Sequence, residues 1–365
     1  MRFVSVSYTY SPDFNTPESW LKRTELYNGL LEYLANDNTV ISIKQINYEG
    51  GYNYNGVEHH FVIFSREPTY FPGKLNRYVK ALNPDVVFVQ GLHQPLQLIQ
   101  LGLMLNKKTR IIAQHHAERP LAGFKKYIQR IASLFVDAYL FASLDMSAEW
   151  VENGNIAPSK KIYEVMEVSS LFQPVKKEYA KLRTGVLGGA VFLWVGRLNE
   201  NKDPLNVVRA FLKFCDTNPH ARLYMIYHTD ELLNDIKMLL EKVGGASPVI
   251  LIGQVPHEEL LYWFNSADFF VSGSYYEGSG TAVCEAMSCG CVPVVTDIAA
   301  FRMITDNGRC GLLYEAGNEA ALLAALQKAI NMDIREKQKA SLEYFKSNLS
   351  FEAIGHKIQE VVASL

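Results

Sequence analysis

Residues 191–202 read Val191-Phe192-Leu193-Trp194-Val195-Gly196-Arg197-Leu198-Asn199-Glu200-Asn201-Lys202. Five apolar, strand-favouring residues run straight into glycine and then a polar loop with two cations. That is a buried strand of a parallel sheet whose carboxyl end opens into a loop. A helical pattern follows over Pro204–Asp216, then a strand at Arg222–Tyr227, a helix at Glu231–Val243 and a strand at Val249–Ile252. The rhythm continues with a helix at Glu258–Asn265, a strand at Phe269–Ser272, a helix at Thr281–Met287 and a strand at Val292–Val295. Strands alternating with helices at this spacing predict βαβ units and a doubly wound α/β domain.

The same rhythm precedes it. Phe3–Ser7, Val40–Ile46, Asp85–Gln90, Arg110–Gln114 and Val136–Ala142 read as strands. Between them lie helices over Pro17–Asn36 and Leu96–Leu105 and a basic helix from Leu121 to about Leu134. The polar stretch Gln173–Gly189 interrupts the pattern. The expected organisation is therefore an N-terminal Rossmann-like domain over 1–172, a linker over 173–189 and a second such domain over 190–346. The C-terminal segment 347–365 contains a last helix, Phe351–Val362. Two doubly wound domains place ligands at the carboxyl ends of their strands, in a cleft between the domains.

Composition excludes several classes. The chain has 365 residues, 48% hydrophobic and 20% charged, with a net charge of −2. That is too apolar for disorder and too neutral for a nucleic-acid-binding field. No apolar run reaches the roughly 20 residues that span a bilayer. The start, Met1-Arg2-Phe3-Val4-Ser5-Val6, reads as a first strand and not as a signal peptide, which points to the cytoplasm. Five cysteines (215, 284, 289, 291, 310) suit reduced thiols. Cys284, Cys289 and Cys291 lack a second ligand cluster at zinc spacing and read as small buried residues.

Two stretches carry chemistry. Arg197 and Lys202 leave the end of a strand beside Gly196, and a guanidinium fork with an ammonium suits a diphosphate. A solvated basic loop is the plain alternative. Tyr276-Glu277-Gly278-Ser279-Gly280-Thr281-Ala282-Val283-Cys284-Glu285-Ala286-Met287 follows a strand and opens a helix, so the amides of Gly278, Ser279, Gly280 and Thr281 suit a phosphate or sugar hydroxyls. Glu285, one turn into an apolar helix, needs donors, which a ribose supplies. Otherwise it pairs with a basic neighbour, and Glu277 is a solvated turn residue. A dehydrogenase is disfavoured, because no Gly-x-Gly-x-x-Gly follows a strand with an acidic partner downstream.

These residues resemble retaining GT-B glycosyltransferases of family 4. The resemblance is carried by Gly196-Arg197…Lys202, Ser274-x-x-Glu277-Gly278-x-Gly280, Glu285-Ala286-Met287, Gly290 and Pro293-Val294-Val295. It implies a nucleotide-diphosphate-sugar donor held mainly by the second domain. Arg197 and Lys202 would take the diphosphate, Glu285 the ribose, and Glu277 the donor sugar. Gly253-Gln254-Val255 would hold the base through backbone groups. In the first half, Ile111–His116 resembles the family's strand ending in a functional histidine, with His116 the better fit and His115 next. His93 sits at another strand end, either acceptor-side or structural. The last helix resembles the one that crosses back onto the N-terminal domain.

Departures from the family pattern are the glycine-free segment Tyr8–Pro17, the turn Tyr227-His228-Thr229-Asp230, and Ser279 where an aromatic residue is common. No Asp-x-Asp occurs, so no cofactor or metal is expected and the transfer is read as metal-independent. The expectation is a hexosyltransferase acting on a glycan or lipid-linked acceptor in polysaccharide or glycolipid synthesis. A nucleotide-sugar epimerase, a sugar phosphorylase, or a nucleotide-sugar-binding protein without transfer are the alternatives. Residues 119–134 read either as an amphipathic helix with its polar side in water or as a peripheral contact with an anionic membrane at its inner face.

Overall fold

The computed structural model describes residues 1–64, 72–243 and 246–365. The chain divides into two compact units, Met1–Ser169 with Phe351–Leu365, and Ser170–Ser350. In the first, the strands are β1 (Arg2–Ser11), β2 (Thr39–Ile46), β3 (Gly50–Tyr54), β4 (Val57–Phe61), β5 (Val86–Gln90), β6 (Arg110–Gln114), β7 (Ala138–Phe141) and β8 (Lys161–Glu164). They form one sheet in the order β3-β4-β2-β1-β5-β6-β7-β8, parallel except for β3. In the second unit, β9 (Val191–Gly196), β10 (Arg222–Tyr227), β11 (Val249–Gly253), β12 (Phe269–Ser272), β13 (Val292–Thr296) and β14 (Leu312–Tyr314) form a parallel sheet ordered β11-β10-β9-β12-β13-β14.

Strand order reverses between β1 and β5 in the first unit and between β9 and β12 in the second. Loops leaving such neighbours diverge to opposite faces of the sheet and leave a crevice at the strands' carboxyl ends. The β9 and β12 loops are those that carry Arg197, Lys202 and Glu277.

Burial explains why the sheets form. Val4, Val6, Ile41, Ile43, Val87 and Val89 alternate onto one face of the first sheet and pack with Leu75, Val79, Leu98 and Leu101. Those four lie on helices Gly73–Ala81 and Pro95–Met104. In the second unit Phe192 stacks on Phe269 at 4.7 Å and meets Phe211 edge-on at 5.3 Å. Each fully buried side chain of this kind contributes roughly 1.5–3 kcal/mol.

Several boundaries differ from the sequence reading. The helix expected over Pro17–Asn36 is two, Pro17–Arg23 and Glu25–Leu34, because Thr24 leaves helical geometry and turns its hydroxyl onto the Trp20 carbonyl. The expected linker 173–189 contains helix Lys177–Thr184, closed by Gly185 in the left-handed region and packed on helix His257–Ser266. Ala180 is its buried contact. The basic helix spans Phe124–Ala132 and tightens into a 3-10 turn at Ser133–Phe135. The sequence reading passes over the β3–β4 hairpin, although Asn55-Gly56, both at positive φ, is its turn signal.

The last helix, Phe351–Ala363, packs on Glu25–Leu34 within the first unit. Two glycines permit this. A Cβ on Gly29 would stand 2.5 Å from the Phe351 ring, and one on Gly355 would strike Tyr33. The Tyr33 hydroxyl reaches His356 at 2.9 Å.

Candidate active site

In the second unit, β9 ends beside Trp194, where a Cβ on Gly196 would lie 3.2 Å from the indole. The loop beyond is anchored by buried Leu198, whose N–H donates to the Thr229 hydroxyl at 2.8 Å. Asn199 caps the short turn Glu200–Lys202, accepting from the Lys202 N–H at 3.1 Å.

Asn201 then joins this loop to the one after β12. Its side-chain amide donates to the Tyr276 carbonyl at 2.9 Å and accepts from the Tyr276 N–H at 3.1 Å. Its own carbonyl accepts from the Tyr275 N–H at 2.9 Å. Gly273 allows the close approach, because a Cβ there would meet the Lys202 and Asp203 carbonyls at 3.2 Å. Across the seam the Lys202 ammonium pairs with the Glu277 carboxylate, which also accepts from the Ser274 hydroxyl at 2.6 Å. The cation assigned to the diphosphate and the carboxylate assigned to the sugar thus hold each other. Arg197, in contrast, is exposed and has no ion-pair partner among the described residues.

Gly280 stands at the N-terminus of helix Thr281–Ser288 with φ 58° and ψ 48°. In its first turn the Val283 and Cys284 N–H groups donate to the Gly280 carbonyl at 2.9 and 3.1 Å, which leaves the amides of Thr281 and Ala282 without an intrahelical acceptor. Glu285 is 3% exposed, and its Oε1 accepts from His257 Nε2 at 2.6 Å. Pairing with a basic neighbour, one of the two readings of Glu285, is therefore what is observed. His257 opens the helix after the Gly253-Gln254-Val255 turn and lies against the Phe172 ring, with centroids 5.1 Å apart. Gly253 is in the left-handed region (φ 82°), and the Gln254 side chain is exposed.

In the first unit, the carboxyl ends of β1, β5 and β6 surround a cavity of about 430 Å³. His116 projects into it, with Nδ1 on the Glu167 carboxylate and Nε2 2.8 Å from Gln90 Oε1. Glu118 ties the β5 and β6 loops together, accepting from the Leu92 N–H at 2.8 Å and the His116 N–H at 2.6 Å. Between them Ala117 adopts a left-handed φ of 64°, a conformation that costs a non-glycine residue about 1–3 kcal/mol.

His115 points the other way. It is 2% exposed, stacks on Phe141 at 4.6 Å and meets the Glu118 carbonyl at 2.9 Å. Burial lowers its pKa. It is a core residue and is not among the side chains that line the cavity. His93 lines the cavity, with Nε2 on the Arg119 carbonyl at 2.9 Å.

Sequence reasoning missed Glu167, Lys44, Gln90, Asn201 and His257. Glu167 carried a signal, since a carboxylate inside Val165-Met166-Glu167-Val168 must be buried with a donor. Among the described residues no group of three or more His, Cys, Asp and Glu side chains is placed to hold a metal ion. Cys284, Cys289 and Cys291 are buried and unbridged, and burial pushes the Cys289 thiol up to about 12. No described helix is long and apolar enough to cross a membrane.

Residues 183–347 match the family model described as glycosyl transferases group 1. A D-inositol 3-phosphate glycosyltransferase of Corynebacterium jeikeium is 29% identical over 49% of this chain and 44% of its own length. A GDP-mannose:cellobiosyl-diphosphopolyprenol alpha-mannosyltransferase of Xanthomonas campestris is 27% identical, covering 48% of each chain. The matches span just under half the length of these curated relatives. The solved structure of Anabaena HepE in complex with UDP superposes with a TM-score of 0.74 at 13% identity, covering 100% of both chains. The chain therefore has the α/β architecture of GT-B proteins and carries a glycosyltransferase group 1 domain over residues 183–347.

Proposed function

We propose that this chain is a retaining glycosyltransferase of family 4 that moves a hexose from a nucleotide-diphosphate sugar to a glycan or lipid-linked acceptor, without a divalent cation. The observation that carries the reading is the seam made by Asn201. It ties the loop after β9, which carries Arg197 and Lys202, to the loop after β12, which carries Glu277 and leads into helix Thr281–Ser288. In this reading Arg197 and Lys202 bind the diphosphate, and Gly196 and the amides of Gly278, Ser279, Gly280 and Thr281 line it. The Gly253-Gln254-Val255 backbone takes the base.

Glu285 exchanges His257 for the ribose hydroxyls, and Glu277 accepts from the hexose. The acceptor hydroxyl attacks the anomeric carbon on the face the diphosphate leaves. The bond to the diphosphate oxygen breaks, and the hydroxyl proton passes to that oxygen. Arg197, Lys202 and the helix amides stabilise the departing charge as fixed electrostatics, the part a metal ion plays elsewhere. His116, oriented by Glu167 and Gln90, is assigned a catalytic role, and His93 a role toward the acceptor.

The lipid-linked acceptor class draws on the Xanthomonas relative, whose name specifies a diphosphopolyprenol substrate. We also assign helix Phe124–Ala132 to contact with an anionic membrane at its cytoplasmic face. The alternative, a polar side in water, is disfavoured by the exposure of Phe124, Tyr127 and Ile131 at 78%, 61% and 49%.

Calorimetry with UDP, GDP, ADP and their hexose conjugates, in EDTA, tests the proposal. The expected result is one nucleotide bound tightly and weakened about 10–100-fold in Arg197→Ala and Glu285→Ala. Binding of none would refute the donor assignment. Turnover abolished by EDTA and restored only by Mn²⁺ would refute metal independence.

A further inference from the structure

Lys44 is the basic group that the reading above leaves without a task. It runs inward from β2 and lines the cavity of the first unit. The other charges there are accounted for: Glu167 is held by His116, and Glu118 by the Leu92 and His116 amides. The Lys44 ammonium has no hydrogen-bond or ion-pair partner among the described residues. Burial alone, with no carboxylate to offset it, pushes its pKa down to about 8. Lys44 is partly buried, and its ammonium, unpaired among the described residues, is available to an anion in the cavity.

The surroundings are suited to an oxyanion. Ser5, Ser7 and Thr9 line the same cavity from β1. Hydroxyls rotate to donate. A lysine acts as a point charge that suits a phosphate, whereas a planar carboxylate is better matched by an arginine fork.

We infer that the cavity of the first unit is an anion subsite in which Lys44, with the β1 hydroxyls, binds a phosphate group carried by the acceptor. The acceptor is then a phosphorylated sugar, polyol or lipid, a deduction that rests on the transferase reading, although the subsite itself does not.

The test titrates inorganic phosphate into the full chain saturated with whichever nucleoside diphosphate it binds, so that Arg197 and Lys202 are occupied. The wild type and Lys44→Arg are expected to bind one further phosphate. Lys44→Met and Lys44→Gln should bind it at least about ten-fold more weakly, with nucleotide affinity unchanged as evidence of an intact fold. Glucuronate, titrated in parallel, should bind more weakly than phosphate. Wild-type phosphate affinity in both neutral variants, or glucuronate binding as tightly as phosphate, overturns the inference. A chain that binds no nucleotide but still loses phosphate with Lys44 refutes the transferase reading and supports the subsite. Normal nucleotide binding, with phosphate indifferent to Lys44, does the reverse.

Discussion

At Gly280 a single residue carries two constraints at once. Its backbone is left-handed, and a Cβ would stand 2.8 Å from Phe301 and 2.9 Å from Ile304, both buried. Alanine there adds backbone strain to a clash with the Phe301 ring edge and the Ile304 terminal methyl, both packed in the core. Gly280→Ala is expected to lower stability by about 1–3 kcal/mol and to weaken nucleotide binding, because the helix amides move with it. A urea midpoint within ~0.5 kcal/mol of wild type would show that the loop has room the distances deny. Lys202 and Glu277 follow a related logic. Their pairing keeps each charge oriented before any ligand arrives, so removing either one frees the other.

Among the elements, helix Phe124–Ala132 stands out because its apolar residues face outward. Phe124, Tyr127 and Ile131 are exposed, Leu134 beyond its end is 65% exposed, and Gln129 and Ala132 are the side chains buried. Gln129 donates to the Leu92 carbonyl at 2.8 Å and accepts from Leu121 N–H and the Asn155 amide, so these polar contacts, with Ala132 in the core, fix the helix. Lys125, Lys126 and Arg130 accompany the apolar row, a composition suited to anionic lipid. Flotation with vesicles containing phosphatidylglycerol should carry the wild type upward. Phe124→Ser with Ile131→Ser should leave it at the bottom, with a stability change within ~0.5 kcal/mol because both positions are exposed. Equal flotation of both proteins would remove the helix from the membrane assignment.

At the scale of the whole molecule, four basic groups of the first unit are held below their ordinary pKa values: Lys44, His59, His115 and Lys160. His59 is pushed down to about 4, by burial first and then by Lys44 and His60. Both of its ring nitrogens lack a partner among the described residues. Unfolded histidine titrates near 6.5, so between about pH 6.5 and 4 the unfolded chain binds protons that the folded unit refuses. Stability therefore falls with pH through that window, by up to ~3 kcal/mol for His59. Lys44 acts higher, its cost disappearing only as pH rises past about 8. Pulse proteolysis in urea at pH 5 should cut residues 1–169 at lower denaturant than at pH 7, and His59→Phe should narrow the difference. Earlier cutting within 170–350 would contradict it.

The amino-acid sequence by itself determined the alternation of strands and helices, the two chemistry-bearing loops and the glycines within them. Those signals are local: apolar runs, capping glycines and polar clusters act over a few neighbouring residues. The hairpin turn at Asn55-Gly56 and the buried acid in Val165–Val168 were equally legible and went unread. Tertiary structure alone decided the partners. Glu285 meets His257 from 28 residues away, and Lys202 meets Glu277 from 75, distances no spacing rule covers. It also decided between His115 and His116. Adjacent residues at the end of a strand face opposite ways, so register sends one ring into the Phe141 and Trp150 core and the other into the cavity. Lys44 shows the same division: its sequence gives an ordinary lysine in a strand, and only the fold of β1, β2 and the first two helices sets it, half-buried and unpaired among the described residues, in the wall of the cavity.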